Sequence, residues 1–296
     1  MPSKPSAKKK APINARKAPA RGPAATSRGS APERAPAPPP EPPKPKTVEE
    51  RTAYLEARLQ QAGPEVQALY RDNLDLSWIA HDSALEGVVY TIQELKAAVD
   101  PGATFVGDSS LQPVVEEVRR HREALNFIRD YAVKRKQPLT LDVIKKIYVT
   151  LHPEEGDVKT VRYRKDIPQH RLYFHEYSPP DKITYKMRQI VDWLNDPETH
   201  RTRNGIRIAA RAHYDIVRVF PFAQDSGKVA RLFMNLMLLR SGYPPAIVHS
   251  TERQRYYEAL KGSSTTMNTI VQDAIENSLA SIEKLLDTVE GKPASD

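Results

Sequence analysis

Apolar residues recur at helical spacing along almost the whole chain from Thr47 onward, and that pattern predicts an all-α protein. Thr47 to Ala62 is a charged segment with Leu55 and Leu59 one turn apart. Pro64 stands where a first helical turn tolerates it, and opens a helix through Val66, Leu69, Tyr70, Leu74 and Ile79. Gly87 suits a left-handed stop for that helix. Thr91-Ile-Gln-Glu94 has capping-box spacing and starts another short helix. Residues 100–112 read as a loop. Val114 to Lys136 forms a long amphipathic helix, and Thr140 is placed to cap a further one from Leu141 to Leu151.

The helical pattern breaks over residues 158–177. Val161, Tyr163, Ile167, Leu172, Tyr173 and Phe174 surround Pro168, which predicts one small β-hairpin. Ser178-Pro-Pro-Asp181 then opens a helix through Ile183, Met187, Ile190, Val191 and Leu194. Another runs from about Arg203 to Val219, with Ile206, Ala209, Ala210, His213 and Val217 on one face. A short polar loop follows. The helix from Lys228 to Arg240 is apolar nearly all round, so it is expected at the centre of the core. Gly242 and Pro244-Pro245 end it, and helices over Thr251 to Lys261 and Met267 to Val289 finish the chain.

Composition separates the first 47 residues from the rest. Of the 26 Pro in 296 residues, 13 fall there, with 11 Lys/Arg against Glu33 and Glu41 only, a net charge of +9. The remainder carries 34 basic and 35 acidic residues, so the overall +8 belongs to this tail. Having almost no large apolar side chains, residues 1–47 cannot offset the entropy of ordering and are expected to be disordered. They serve either as a basic arm for a polyanion such as nucleic acid or as a solvated spacer. The lack of interleaved aromatics favours the spacer. There is no apolar signal-peptide region, no membrane-length apolar run and no Cys. The expectation is a cytoplasmic protein without a membrane partner.

The loop itself reads Phe220-Pro-Phe-Ala-Gln-Asp-Ser-Gly-Lys-Val-Ala-Arg231. A helix N-terminus behind small residues presents free N–H groups that suit a phosphate. The segment resembles the signature loop of the Fic (Fido) family, H-P-F-x-[DE]-G-N-G-R-x-x-R, matching at Pro221, Phe222, Gly227 and Arg231. Further resemblances follow in the family's order. Trp78 to Gly87 is similar to the inhibitory-helix motif [ST]-x-x-x-E-[GN], with Glu86 as its glutamate and Asp82 departing at the first position. Residues 158–177 resemble the flap that docks a target protein. Ala212 to Val219, Gly242 to Pro245 and Arg255 to Leu260 resemble the flanking helices. The resemblance implies a Fic-type helical bundle: N-terminal helices over 48–112 including the inhibitory-like helix, a core over 113–262, and a C-terminal helix with a short tail over 263–296.

Fic enzymes, the resemblance further implies, move AMP from ATP to a protein hydroxyl. The loop His acts as base, the acidic residue holds Mg²⁺, and the Asn, backbone N–H groups and two Arg hold phosphates. Here Phe220 stands at the His position and has no titratable group, and loss of a general base costs about 10²–10⁴ in rate. Gln224 replaces the metal-binding carboxylate, and an amide oxygen is a weaker Mg²⁺ ligand. Asp225 either supplies the lost charge or, with Ser226, caps the next helix, and the preference of that position for these residues favours capping. Lys228 takes the place of the first Arg without its bidentate fork. Ser226, Gly227, Lys228 and Arg231 are the phosphate-binding candidates. Arg231 is expected to pair with Glu86, a pair whose plainest alternative is a surface ion pair of little energetic value. His213 reads as a buried, hydrogen-bonded histidine, and His170 and His175 as flap residues.

Joint loss of the His and the carboxylate favours a pseudoenzyme that binds a nucleotide phosphate or a protein partner. Two alternatives stand beside it. One is an enzyme of altered chemistry, transferring or removing AMP through Glu86 and Asp225. The other is nucleic-acid binding through residues 1–47.

Overall fold

A computed structural model describes residues 47–99, 111–168 and 176–291 of the chain. The basic tail up to Lys46, the segment 100–110, and residues 169–175 with His170 and His175 lie outside them. The described residues form eleven α-helices. The first five are α1 (Val48–Gln61), α2 (Pro64–Leu85), α3 (Ile92–Val99), α4 (Gln112–Ala132) and α5 (Leu141–Leu151). Then come α6 (Pro180–Asn195), α7 (Pro197–Thr202), α8 (Gly205–Val219), α9 (Ser226–Arg240), α10 (Arg253–Lys261) and α11 (Ser264–Val289). No strand is formed among the described residues, where 158–168 run as turns and irregular chain.

The fold is built around α9. Every residue from Ser226 to Leu238 is buried, as the unbroken apolar run requires. It packs against α8, α4 and α5, and α8 in turn packs against α11 and α6. Amphipathic faces supply the surrounding contacts: Ile183, Met187, Ile190 and Leu194 of α6, and Val115, Val118, Leu125 and Ile128 of α4, all buried. At about 25 cal/mol per Å² of apolar surface, these stripes dominate the stabilisation of the bundle. The outermost helix, α1, buries only Thr52 and Leu55 and is tied to α11 by charge. Arg51 meets Glu276 and Glu283, and Arg58 meets Asp287 and Glu290.

Helix ends follow local chemistry where the side chains are free to act. Thr47 and Glu50 form a reciprocal capping box, and Thr91 does the same with Glu94. Gly87 and Gly242 take φ of 93° and 84° beyond α2 and α9. Three expectations need correction. The helix expected to reach Lys136 stops at Ala132, because the residues that follow, from the 78 % exposed Val133 to Lys136, offer the core nothing. The helix expected from Arg203 is two. Asp196 accepts from the Glu198 N–H to start α7, and Asn204 accepts from the Arg207 N–H at 3.0 Å to start α8. Thr140 sits at the cap of α5, but its hydroxyl makes no capping bond.

Candidate functional site

The loop from α8 to α9 turns through two non-glycine residues in the left-handed region, Phe220 and Asp225, each with φ of 49°. A bulky residue there costs on the order of 1–2 kcal/mol, so the surroundings must hold it. The Phe220 N–H closes the last turn of α8 on Ile216 O at 2.9 Å, and its ring is buried against Tyr177 with centroids 4.6 Å apart. Phe222 is fully buried and lies parallel to Tyr148 at 4.0 Å. Ser226 does not cap α9. Its hydroxyl accepts from the Phe222 N–H at 2.8 Å and donates to Phe222 O at 3.0 Å, stapling the loop to itself.

Arg164 fixes the loop from outside. This buried guanidinium donates to the carbonyls of Phe220 at 2.6 Å, Asp166 at 2.8 Å, Val219 at 3.2 Å and Ser178. Its backbone N–H donates to Pro221 O at 3.0 Å. One side chain thereby joins the end of α8, the loop and both described arms of the 158–177 segment. Burial lowers its pKa.

Asp225 stands at the cap position of α9, but its carboxylate caps nothing. Oδ2 lies 2.9 Å from His152 Nε2 and 3.4 Å from Lys228 Nζ. His152 Nδ1 lies 2.9 Å from Glu154 Oε1, so the ring is held between two carboxylates. Burial works against the His152 cation, yet Asp225 and Glu154 raise its pKa above the usual value. Burial also opposes the Asp225 anion, but His152 and Lys228 drive its pKa far below the carboxylate range. Lys228 is 2 % exposed, with Glu117 Oε1 at 3.7 Å as a second neighbour. Its pKa is raised despite burial by Asp225, Asp82, Glu117 and Glu86.

Arg231, one turn further along α9, is also buried and fully engaged. Nε donates to Asp82 Oδ1, Nη2 to Asp82 O at 3.2 Å and to Glu86 Oε1 at 2.7 Å, and Nη1 to Tyr256 Oη at 3.2 Å. Arg231 and Glu86, the partners expected from sequence, do meet, but in the interior and not at the surface. Tyr256 Oη also lies 2.9 Å from His213 Nε2. Burial and Arg231 push the His213 pKa down to about 3, so it is a neutral core group as expected.

The charges of the loop are therefore satisfied from within. Mg²⁺ needs a carboxylate free to turn to it, with room for several waters. Asp225 is clamped by two cationic donors, Gln224 is exposed, and no trio of His, Asp and Glu converges among the described residues. These residues do not fit a Mg²⁺ site. A cleft of about 540 Å³ opens beside the end of α2, lined by Thr251, Arg253, Gln254, Tyr257, Glu258 and Lys261. Arg253 Nε donates to Leu85 O at 3.1 Å, which places this cleft against the residue preceding Glu86.

The Fic/DOC family profile matches residues 138–238, the stretch from α5 to the end of α9 that carries the loop. Protein adenylyltransferase Fic of Nematostella vectensis is 31% identical over 186 residues, covering 62% of this chain and 42% of the relative. The chain belongs to the Fic family. Protein adenylyltransferase fic-1 of Caenorhabditis elegans is 29% identical over 219 residues, covering 71% of this chain and 41% of that protein. The chain thus spans about two fifths of the length of these curated relatives. The fold agrees with a Fic-domain-containing signaling protein from Bacteroides thetaiotaomicron, at TM-score 0.68, 22% identity, 83% of this chain and 100% of that one.

Sequence reasoning found Phe220, Asp225, Lys228, Arg231 and Glu86 and missed His152, Arg164 and Glu117. His152 is 73 residues from Asp225 and Arg164 is 56 from Phe220, so no short-range spacing announces either contact. The one available signal for Asp82 was its departure from a Ser/Thr position.

Proposed function

We propose that this Fic protein works by binding and does not carry out ordinary AMP transfer. Phe220 carries this reading: at the position of the family's base stands a buried ring packed on Tyr177, with nothing to take a proton. The clamped Asp225 supports it, since the metal route of AMP transfer or AMP removal would draw on that carboxylate. The favoured ligand is a nucleotide. Its phosphates would face Gly227, Lys228 and Arg231 at the start of α9, and the α10 cleft has the size of a nucleoside pocket. The ATP-using relatives make ATP the first nucleotide to try. A protein partner docking along 158–177 is the second reading, favoured by the carboxylates that already cover both cations.

Calorimetry with ATP, in the presence and absence of Mg²⁺, separates the two. The nucleotide reading expects saturable binding that Lys228→Met weakens and that leaves ATP intact. Absence of binding under both conditions would remove it in favour of the protein partner.

A further inference from the structure

The Arg231 guanidinium is held by two carboxylates from one helix, and they are not equivalent. Asp82 and Glu86 are four residues apart and project from the same face of the last turn of α2. That end of a helix carries the negative pole, and two neighbouring anions there repel each other. The arrangement persists because Arg231 lies between them. Asp82 is the inner partner. Its side chain is 3 % exposed against 12 % for Glu86, and it binds Arg231 through both its carboxylate and its backbone carbonyl. Its other oxygen, Oδ2, lies 3.2 Å from Nε2 of the buried His121 on α4. Burial alone would raise the Asp82 pKa, but Arg231 and His121 bring it down to about 2, so it is ionised at any ordinary pH. If Arg231 swung away, Asp82 would be left as an uncompensated buried anion, the costliest way to break such a pair.

We infer that Asp82 is the principal latch on Arg231, and that releasing Glu86 alone does not free the guanidinium for a phosphate. The inference rests on the proposed reading in one respect, that Arg231 faces the phosphates. In its resting state Arg231 is a cross-link between α2 and α9, and the loop is closed by two carboxylates in series. Asp82 is a positioning residue: it acts on any ligand only through Arg231.

The test is the Arg231 Nε–H resonance in the ¹⁵N-labelled full chain. With Glu86→Ala, the resonance is expected to persist with its hydrogen-exchange protection unchanged. With Asp82→Asn, which keeps the shape and removes the charge, protection is lost. Loss of protection in Glu86→Ala overturns the inference, and that variant is decisive by itself if Asp82→Asn fails to fold. ATP affinity gives a second readout. Glu86→Ala should match the unsubstituted chain, and Asp82→Ser combined with Glu86→Ala should bind about tenfold more tightly, within the usual range of coupling between groups. A tightening of that size in Glu86→Ala alone also overturns the latch. If the resonances behave as expected and ATP binds no variant, the latch stands and the nucleotide reading falls.

Discussion

At the scale of single residues, the loop keeps the backbone of a phosphate cradle while its side chains have been redirected inward. Phe220 and Asp225 are held in left-handed conformations by named contacts: Arg164 and Tyr177 for the first, His152 and Lys228 for the second. Strain of this kind persists only where neighbours over-determine it. His213 shows a different arrangement, a buried neutral imidazole bonded to Tyr256. Its pKa falls from about 6.5 to about 3 on folding, so between these values the unfolded chain binds the extra proton. Its stabilisation is fully present above about pH 6.5 and is lost progressively as pH falls toward 3. Urea unfolding between pH 6.5 and 4.5 should show stability falling with acid by up to about 1.4 kcal/mol per pH unit from this group. His213→Gln should flatten that slope. Part of it should remain, because burial and His249 lower the pKa of His81 as well. An unchanged slope would mean that His213 is protonated in the fold.

At the scale of elements, the apolar period located the helices and the caps refined them. The run from Val229 to Leu239 announced a buried helix because no face of it is polar, and burial from Ser226 to Leu238 follows directly. The end of α4 and the α7–α8 break were harder, since Pro197 and Asn204 act within a segment whose apolar spacing runs on. A cap residue is also no guarantee of a cap. Ser263 accepts from the Thr266 N–H at 3.3 Å at the start of α11, whereas Thr140 makes no such bond at α5. Ser263→Ala is therefore expected to cost about 1 kcal/mol in chemical denaturation and Thr140→Ala clearly less. Equal losses would show that cap position, not the hydrogen bond, sets the effect.

At the scale of the whole molecule, the fold was legible because helical periodicity is local and repeated along the chain. The site was legible only where a motif names its own residues. Its pairings, His152 with Asp225, Arg164 with the Phe220 carbonyl and Asp82 with Arg231, join segments 56 to 149 residues apart. Such contacts exist only once α2, α5 and α9 have packed. They turn a loop that sequence leaves open to metal and phosphate into one whose charges are paired internally. No described helix is long and apolar enough to cross a membrane.

Whether this loop transfers AMP separates a binding role from a catalytic one. The direct measurement is incubation of the full chain with ATP labelled on its α-phosphate, Mg²⁺ or Mn²⁺ and candidate proteins, followed by counting label bound to protein. With Phe220 in place of a base and Asp225 held by His152 and Lys228, label should stay at the background of a Lys228→Ala, Arg231→Ala control. Robust labelling of the chain or of a target, abolished in that control, would contradict a role confined to binding.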